Sequence, residues 1–300
     1  MISLILLGAG ASYGSGDCTP YCPPLGATLF DALRARGGTA ASVSPELAEL
    51  FKRDFESGMV EFRKQRDEDT TSLLREMAEY FVDFAAGPRN LYREIVRIVR
   101  QQPVSVRLVT SNYDLLIEQA ITEAGLLIAY HPPPLPADNI SLLKIHGSCH
   151  FLPDIQGLTL RDVTFAENAV NVETRVKIAR SRNEVREFCR TQDSLAPAIA
   201  VFAPGKPVLF SSEMVKDQQA KWLATLAEAS VVYIIGLRVV PGDEHIWGAL
   251  AKSNAAIQYV GLDKETILAW ASASNRANVH FLARTFAEAL PALRQRLIAA

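Results

Sequence analysis

The stretch Ile2-Ser3-Leu4-Ile5-Leu6-Leu7-Gly8-Ala9-Gly10-Ala11-Ser12 carries a continuous apolar run that stops abruptly at glycine. A strand covered on both faces has this pattern, because neither side of its pleat meets water. Similar runs recur along the chain. Residues 105–110 end at Ser111-Asn112-Tyr113-Asp114, 142–145 at His146-Gly147, 231–235 at Gly236 and 257–262 at Asp263, and 279–282 supply a sixth candidate. Apolar residues at helical spacing fill 25–36, 47–55, 71–84, 91–101, 113–124, 216–229, 243–253, 264–273 and 285–297. Alternation of buried strand and helix predicts an α/β fold: a Rossmann-like parallel sheet with helices on both faces.

Two stretches break the alternation. Residues 39–104 are helical throughout and predict a helical insertion; 149–205 are mixed and predict a small module. Both are expected outside the sheet of a single domain spanning 1–300. With 49% hydrophobic and 21% charged residues in 300, the composition is that of a globular protein. A net charge of -2 gives no overall field toward nucleic acid or anionic membrane. No run approaches the ~18–20 apolar residues that span a bilayer, and residues 1–7 lack the basic lead-in of a signal peptide. A cytoplasmic location follows as an expectation. Cys18 and Cys22 are four apart, while Cys149 and Cys189 stand alone. No CxxC pair is present, so no zinc or other metal is expected and four free thiols are.

In open parallel sheets, ligands bind beyond the carboxyl ends of the strands. The glycine-rich and polar residues of this chain collect there. Gly8 and Gly10 let backbone N–H groups approach a pyrophosphate, although a tight turn needs the same glycines. A hydride-transfer fingerprint fits poorly. Tyr13 replaces its last glycine, and Pro20, Pro23 and Pro24 are expected to delay the first helix to about residue 25. Ser111, Asn112 and Asp114 suit a helix cap, and Asn112 equally offers an amide for a ribose hydroxyl or a water. His146, emerging from a strand before a glycine, offers an imidazole able to take a proton near pH 7. Gly236 permits close approach, and Arg238 can grip a phosphate. Asp263 can accept from ribose hydroxyls or cap the next helix.

In this order, the pieces resemble the sirtuin family, and more closely its bacterial NAD-hydrolysing branch. Gly8-Ala9-Gly10-Ala11-Ser12 is similar to the family's GAG-x-S loop, Thr110-Ser111-Asn112-Tyr113-Asp114 to its T-x-N-x-D motif, and His146-Gly147 to its catalytic HG. Lys206-Pro207-Val208-Leu209-Phe210-Ser211-Ser212-Glu213 is similar to its basic-Pro-x-Val-x-Phe-Gly-Glu segment. Gly236-Leu237-Arg238 departs from its Gly-Thr-Ser, and Val260-Gly261-Leu262-Asp263 stands where it has Ile-Asn. The resemblance implies NAD as substrate and cleavage of its nicotinamide–ribose bond. Asn112 and His146 would be the catalytic residues. Gly8, Ala9, Gly10, Ala11, Ser12, Ser111, Asp114, Gly236, Arg238 and Asp263 would bind the dinucleotide. The family's deacylases carry two zinc-binding cysteine pairs after HG, and only Cys149 and Cys189 stand there here. That speaks against the first rival, a protein deacylase or ADP-ribosyltransferase. The second rival is a non-catalytic module sensing NAD or ADP-ribose. Members of the resembling branch serve in antiphage defence, and no segment here reads as a separate sensor. A homo-oligomer or a co-encoded partner protein is therefore expected to gate the activity. The basic side chains between Arg175 and Arg190 are expected to form a solvated face, not a nucleic-acid patch.

Overall fold

The computed structural model describes residues 2–66, 69–102, 105–136, 138–154, 163–166, 169–200, 211–240 and 243–298, with backbone alone for 163–166 and 169–172. Residues 206–210 of the basic-Pro segment, and the Pro241-Gly242 pair, lie outside them. In chain order the elements are β1 (Ile2–Leu7), α1 (Ala9–Tyr13), β2 (Cys18–Thr19), α2 (Gly26–Arg34), α3 (Gly38–Ala41), α4 (Pro45–Arg53), α5 (Phe55–Gln65) and α6 (Thr71–Phe81). Then follow β3 (Ala85–Ala86), α7 (Leu91–Gln101), β4 (Val106–Thr110), α8 (Leu116–Glu123), β5 (Leu127–Ala129), β6 (Asn139–Lys144) and β7 (Phe151–Asp154). The remainder are β8 (Val163–Ala166), β9 (Ala169–Val172), β10 (Arg175–Ile178), α9 (Arg182–Thr191), α10 (Ser212–Glu228), β11 (Ala229–Ile235), α11 (Ala249–Lys252), β12 (Ala256–Val260), α12 (Lys264–Ala273), β13 (Val279–Ala283) and α13 (Phe286–Ile298). A π-helical turn, Glu244–Gly248, precedes α11.

The chain falls into two compact units. The first comprises Met1–Pro23, Phe84–Ile145 and Gln218–Ala300; the second comprises Pro24–Asp83 and His146–Asp217. The helices of 39–104 divide between them, α3 to α6 going to the second unit and α7 to the first.

The first unit holds a seven-stranded sheet in the order β13-β12-β11-β1-β4-β6-β5. Every pairing in it is parallel. Leu4, Leu6, Val232, Ile234 and Ile257 are buried with Trp222, Trp247 and Trp270 from the surrounding helices, which is the continuous burial that the apolar runs require. From β1 the chain builds β4, β5 and β6 on one side and then returns to lay β11 on the other. The strand order therefore reverses between β1 and β11, and open parallel sheets place ligands at such a point. The register aligns Leu7 with Thr110 and Ile235, Ile235 with Val260, and Thr110 with Lys144. All five strands thus end at one level.

The second unit combines the helices α2 to α6 with antiparallel pairs. β7 pairs with β10, and β8 with β9. Phe30, Phe51, Phe55 and Phe62 are buried together, with the rings of Phe30 and Phe51 stacked 3.7 Å apart. Of the basic side chains between 175 and 190, Arg175, Lys177, Arg180 and Arg190 are exposed, as their spacing suggested, and some of α9 also form ion pairs. Arg186 pairs with Asp83 at 2.5 Å and Arg190 with Glu79 at 3.4 Å.

Two expectations near the start of the chain need correction. A one-turn helix, α1, forms directly after Gly8 instead of waiting until residue 25. The prolines at 20, 23 and 24 act only on their own neighbours, and α1 has already closed with Gly14 N–H on Gly10 O at 2.9 Å. Cys18 and Cys22 are joined in a disulfide and are not free thiols. Gly16 and Asp17, at φ 64 and 46, turn the chain just ahead of Cys18, and residues 19–21 close the loop between the two cysteines. The two Cα atoms come to 4.9 Å, inside the range a disulfide bridges. Cys149 and Cys189 are free and buried. Among the described residues no helix is long and apolar enough to cross a membrane.

Candidate active site

The glycines of the first loop have a reason in backbone packing. Gly10 N–H donates to Gly236 O at 2.7 Å, and Gly8 N–H to Ile235 O at 2.9 Å. A Cβ on Gly8 would lie 2.6 Å from Gly236 O, and one on Gly236 would lie 2.1 Å from Ala11 N. Gly236 also holds φ 64, which side-chain-bearing residues rarely adopt. The loops after β1 and β11 are therefore seated on each other, at the point where the strand order reverses. Tyr259 of β12 fixes the second loop by donating its hydroxyl to Leu237 O at 3.0 Å; burial, then Asp263, pushes that phenol up to about 12.

Asn112 does not cap a helix. α8 starts only at Leu116, where the Asp114 carboxylate takes the N–H of Leu116 at 3.1 Å. Asn112 turns inward and is buried. Its Nδ2 donates to Gly8 O at 2.9 Å and Ser12 Oγ at 2.8 Å. A backbone carbonyl can only accept, so Gly8 O fixes which end of the amide is nitrogen. Its own N–H donates to Thr110 Oγ1 at 3.0 Å, and that hydroxyl donates to Leu7 O at 3.1 Å.

Ser12 is the junction. Its hydroxyl donates to Asp114 Oδ2 at 2.8 Å. With its one proton committed, Ser12 accepts from Tyr92, whose hydroxyl lies 2.9 Å away. Burial, and then the Asp114 charge, drives the Tyr92 phenol well above its ordinary range, so it stays a neutral donor. Behind Asp114, Lys144 is fully buried and its Nζ donates to Asp114 O at 2.8 Å. Glu118 pairs with the same ammonium at 2.8 Å; burial raises its carboxyl and the Lys144 charge opposes the rise.

Gly8, Gly10, Ala11, Ser12, Asn112, Asp114 and Gly236 are thus brought together at one edge of the first unit. Ser111 joins through its N–H to Leu7 O at 3.1 Å, and Ala9 is exposed on the outer side of α1. Asp263 caps α12 by accepting from Thr266 N at 2.9 Å. The Thr266 hydroxyl, the Thr266 N–H and then the Arg238 charge hold its carboxyl low; Arg238 itself is exposed. His146 opens the second stretch of the second unit. It is buried, its carbonyl accepts from Ala200 N at 2.9 Å, and Gly147 follows at φ 76. A Cβ on Gly147 would lie 1.9 Å from Ala198 O, so glycine is required there.

Tyr92, Lys144 and Glu118 were not legible as site residues. Tyr92 lies on the apolar stripe of α7, where an aromatic reads as core. Lys144 is a lone cation at the end of a strand, with a partner 26 positions away.

No family profile and no curated protein matches the chain. Among solved structures it is similar to a Sir2 homologue in complex with NAD, at 15% identity over 99% of this chain and 88% of that one, with a TM-score of 0.45. It is also similar to a mutant Sir2 homologue in complex with ADP-ribose, at 16% identity over 99% and 90%, TM-score 0.46. A third likeness is to a structure described under sirtuin substrate affinity, at 13% identity over 100% and 92%, TM-score 0.46.

Proposed function

We propose that the chain is an NAD glycohydrolase that cleaves the nicotinamide–ribose bond and releases nicotinamide and ADP-ribose. The observation that carries this is the buried Ser12–Asn112–Asp114–Tyr92 network at the reversal point of the sheet. It holds a neutral amide in one orientation where an α/β sheet takes a nucleotide. With Nδ2 turned to Gly8 and Ser12, the amide oxygen of Asn112 is the end that accepts from a ribose hydroxyl or a water. The loop over Gly8, Ala9, Gly10, Ala11 and Ser12 receives the pyrophosphate, Arg238 a phosphate oxygen, and Asp263 a ribose hydroxyl.

The chemistry asks little of an acid. The C1′–N bond breaks with its electron pair going to the nicotinamide, which leaves as a neutral molecule. The ribose becomes oxocarbenium-like, as in other glycoside cleavages. What remains is to hold the ribose and a water in place and to take up a proton from a ribose hydroxyl or the water, the role of His146. An ungated enzyme of this kind would exhaust its own cell's NAD. We therefore place it as a cytoplasmic antiphage effector held inactive through self-assembly or a co-encoded partner.

The test is nicotinamide release from NAD by the purified chain, beside Asn112→Ala and His146→Ala, with and without an acetyl-lysine peptide. Peptide-independent release, lowered ~10²–10⁴-fold in each variant, is expected. Release only with peptide would make the chain a deacylase. Binding of NAD without release, with or without a co-encoded partner, would make it a sensing module.

A further inference from the structure

The loop after β11 carries a second histidine that the mechanism above leaves unused. His245 Nδ1 lies 2.7 Å from Asp243 Oδ1. The Asp243 side chain is 6% exposed and that of His245 is 21% exposed, so a buried carboxylate faces a ring that solvent still reaches. A carboxylate charge this close to Nδ1 favours the tautomer with its proton on Nδ1, which leaves Nε2 as the basic nitrogen.

Hydrogen bonds tie the backbone beside this pair to buried indoles. Trp222 Nε1 donates to His245 O at 2.9 Å, and Trp247 Nε1 donates to Arg238 O at 3.1 Å. Both indoles are buried. Asp243 O accepts from Trp247 N–H at 2.8 Å and from Gly248 N–H at 3.4 Å, the second being the wider bond of the π-turn Glu244–Gly248. Such turns are uncommon and recur at functional sites, since the wider turn re-aims a side chain. The same loop begins with Gly236, the residue seated on Gly8, Gly10 and Ala11. Within the first unit, then, an oriented imidazole belongs to the loop that borders the reversal point between β1 and β11.

We propose that His245, held by Asp243, is the general base of nicotinamide–ribose cleavage; this rests on the function proposed above. Water attacks C1′ as the C1′–N bond breaks. His245 Nε2 takes one water proton, and the resulting imidazolium later returns it to solvent. The balance is NAD and water giving nicotinamide, ADP-ribose and one proton. His146 is left to the ribose hydroxyls. His245 is the catalytic residue and Asp243 its positioning residue.

The experiment compares wild type, His245→Gln and Asp243→Asn for NAD binding by calorimetry and for nicotinamide release. The ring tautomer of His245 is followed in long-range ¹H–¹⁵N spectra of wild type and Asp243→Asn. Both variants are expected to keep NAD affinity within a few-fold and to lose at least ~10²-fold in release, the low end for a positioned base. Asp243→Asn is also expected to shift the ring away from the Nδ1-protonated tautomer. A pair that served only to close the turn would alter thermal stability and leave tautomer and release rate in place. Wild-type release from either folded variant overturns the proposal while leaving the hydrolase reading intact. Absence of release from wild type, Asn112→Ala and His245→Gln alike removes the hydrolase reading itself, and this assignment with it.

Discussion

The carboxyl edge of the parallel sheet and the helical cluster of the second unit are both buried, but by different means. At the edge, a serine, an asparagine, an aspartate and a tyrosine lie out of water, each satisfied by the others at 2.8–2.9 Å or by the backbone. In the helical cluster, Phe51 stacks on Phe30 and meets Phe55 at 5.2 Å and Phe62 at 6.4 Å, edge-on or tilted. Apolar packing is non-directional and degrades in proportion to the volume lost. A buried polar network is directional, and removing one member leaves the rest unsatisfied. The helical cluster should therefore answer mutation with stability, and the edge with activity.

The contact between the two glycine loops gives the largest effect. Gly236→Ala combines a disfavoured φ with a Cβ 2.1 Å from Ala11 N. Backbone strain of ~1–3 kcal/mol and overpacking of ~1–3 kcal/mol add to about 2–6 kcal/mol. Gly125 is the control, since it holds φ 74 with nothing within 4 Å of a built Cβ. Gly125→Ala should cost only the backbone part, ~1–2 kcal/mol. Equal losses for the two variants in denaturant melts would mean that the loop contact carries no weight.

Phe51→Ala comes next, at about 3–5 kcal/mol of stability for a large buried ring. Below its lowered melting temperature the variant should release nicotinamide at close to the wild-type rate. A large rate loss in folded protein would erase the distinction between the two regions. Tyr92→Phe sharpens it from the other side. The ring and its packing stay, while Ser12 loses one donor and keeps Asn112 and Asp114. Stability should fall by ~1 kcal/mol, the net value of one hydrogen bond. Release should fall more than this stability loss predicts, because the orientation of Asn112 rests on Ser12.

The same contrast sets what the sequence reveals. Strands β1, β4, β6, β11 and β12 announce themselves as apolar runs because both their faces are covered; β13, at the sheet edge, does so with its middle only partly buried. β5 does not, being three residues with Leu127 exposed at the sheet edge. Within the stretch 39–104, read as helical throughout, the bounds of α5 are blurred by Gly58, a poor helix former. Its absent side chain makes room for the Phe51 ring, which a Cβ would approach to 2.5 Å. Gly8, Gly10, Ser12, Asn112 and Asp114 are visible because each follows the end of a strand. Tyr92 and Lys144 join only through folding, and spacing along the chain carries no mark of it. The Cys18–Cys22 bond hid for a similar reason. Spacing rules weigh those cysteines as metal ligands or free thiols, while the three-residue loop between them brings their Cα atoms to 4.9 Å.

The smallest effect tests whether the surface of the second unit follows its core. Asp83 accepts from Arg36 at 2.8 Å and from Arg186 at 2.5 Å. Burial alone would raise its carboxyl, but hydrogen bonds and charge from Arg36 and Arg186 outweigh that and hold it below its ordinary 3.8. A carboxyl depressed in the folded state stabilises above its unfolded pKa, and that contribution drains as pH falls through the folded value. Asp83→Asn removes this dependence and keeps the shape. The stability difference between wild type and Asp83→Asn should be level near pH 6, at under ~1 kcal/mol for pairs so close to solvent. It should then shrink steadily below about pH 4, the unfolded carboxyl value. A difference that stays level down to pH 2.5 would show that the two arginines stabilise nothing through the Asp83 charge.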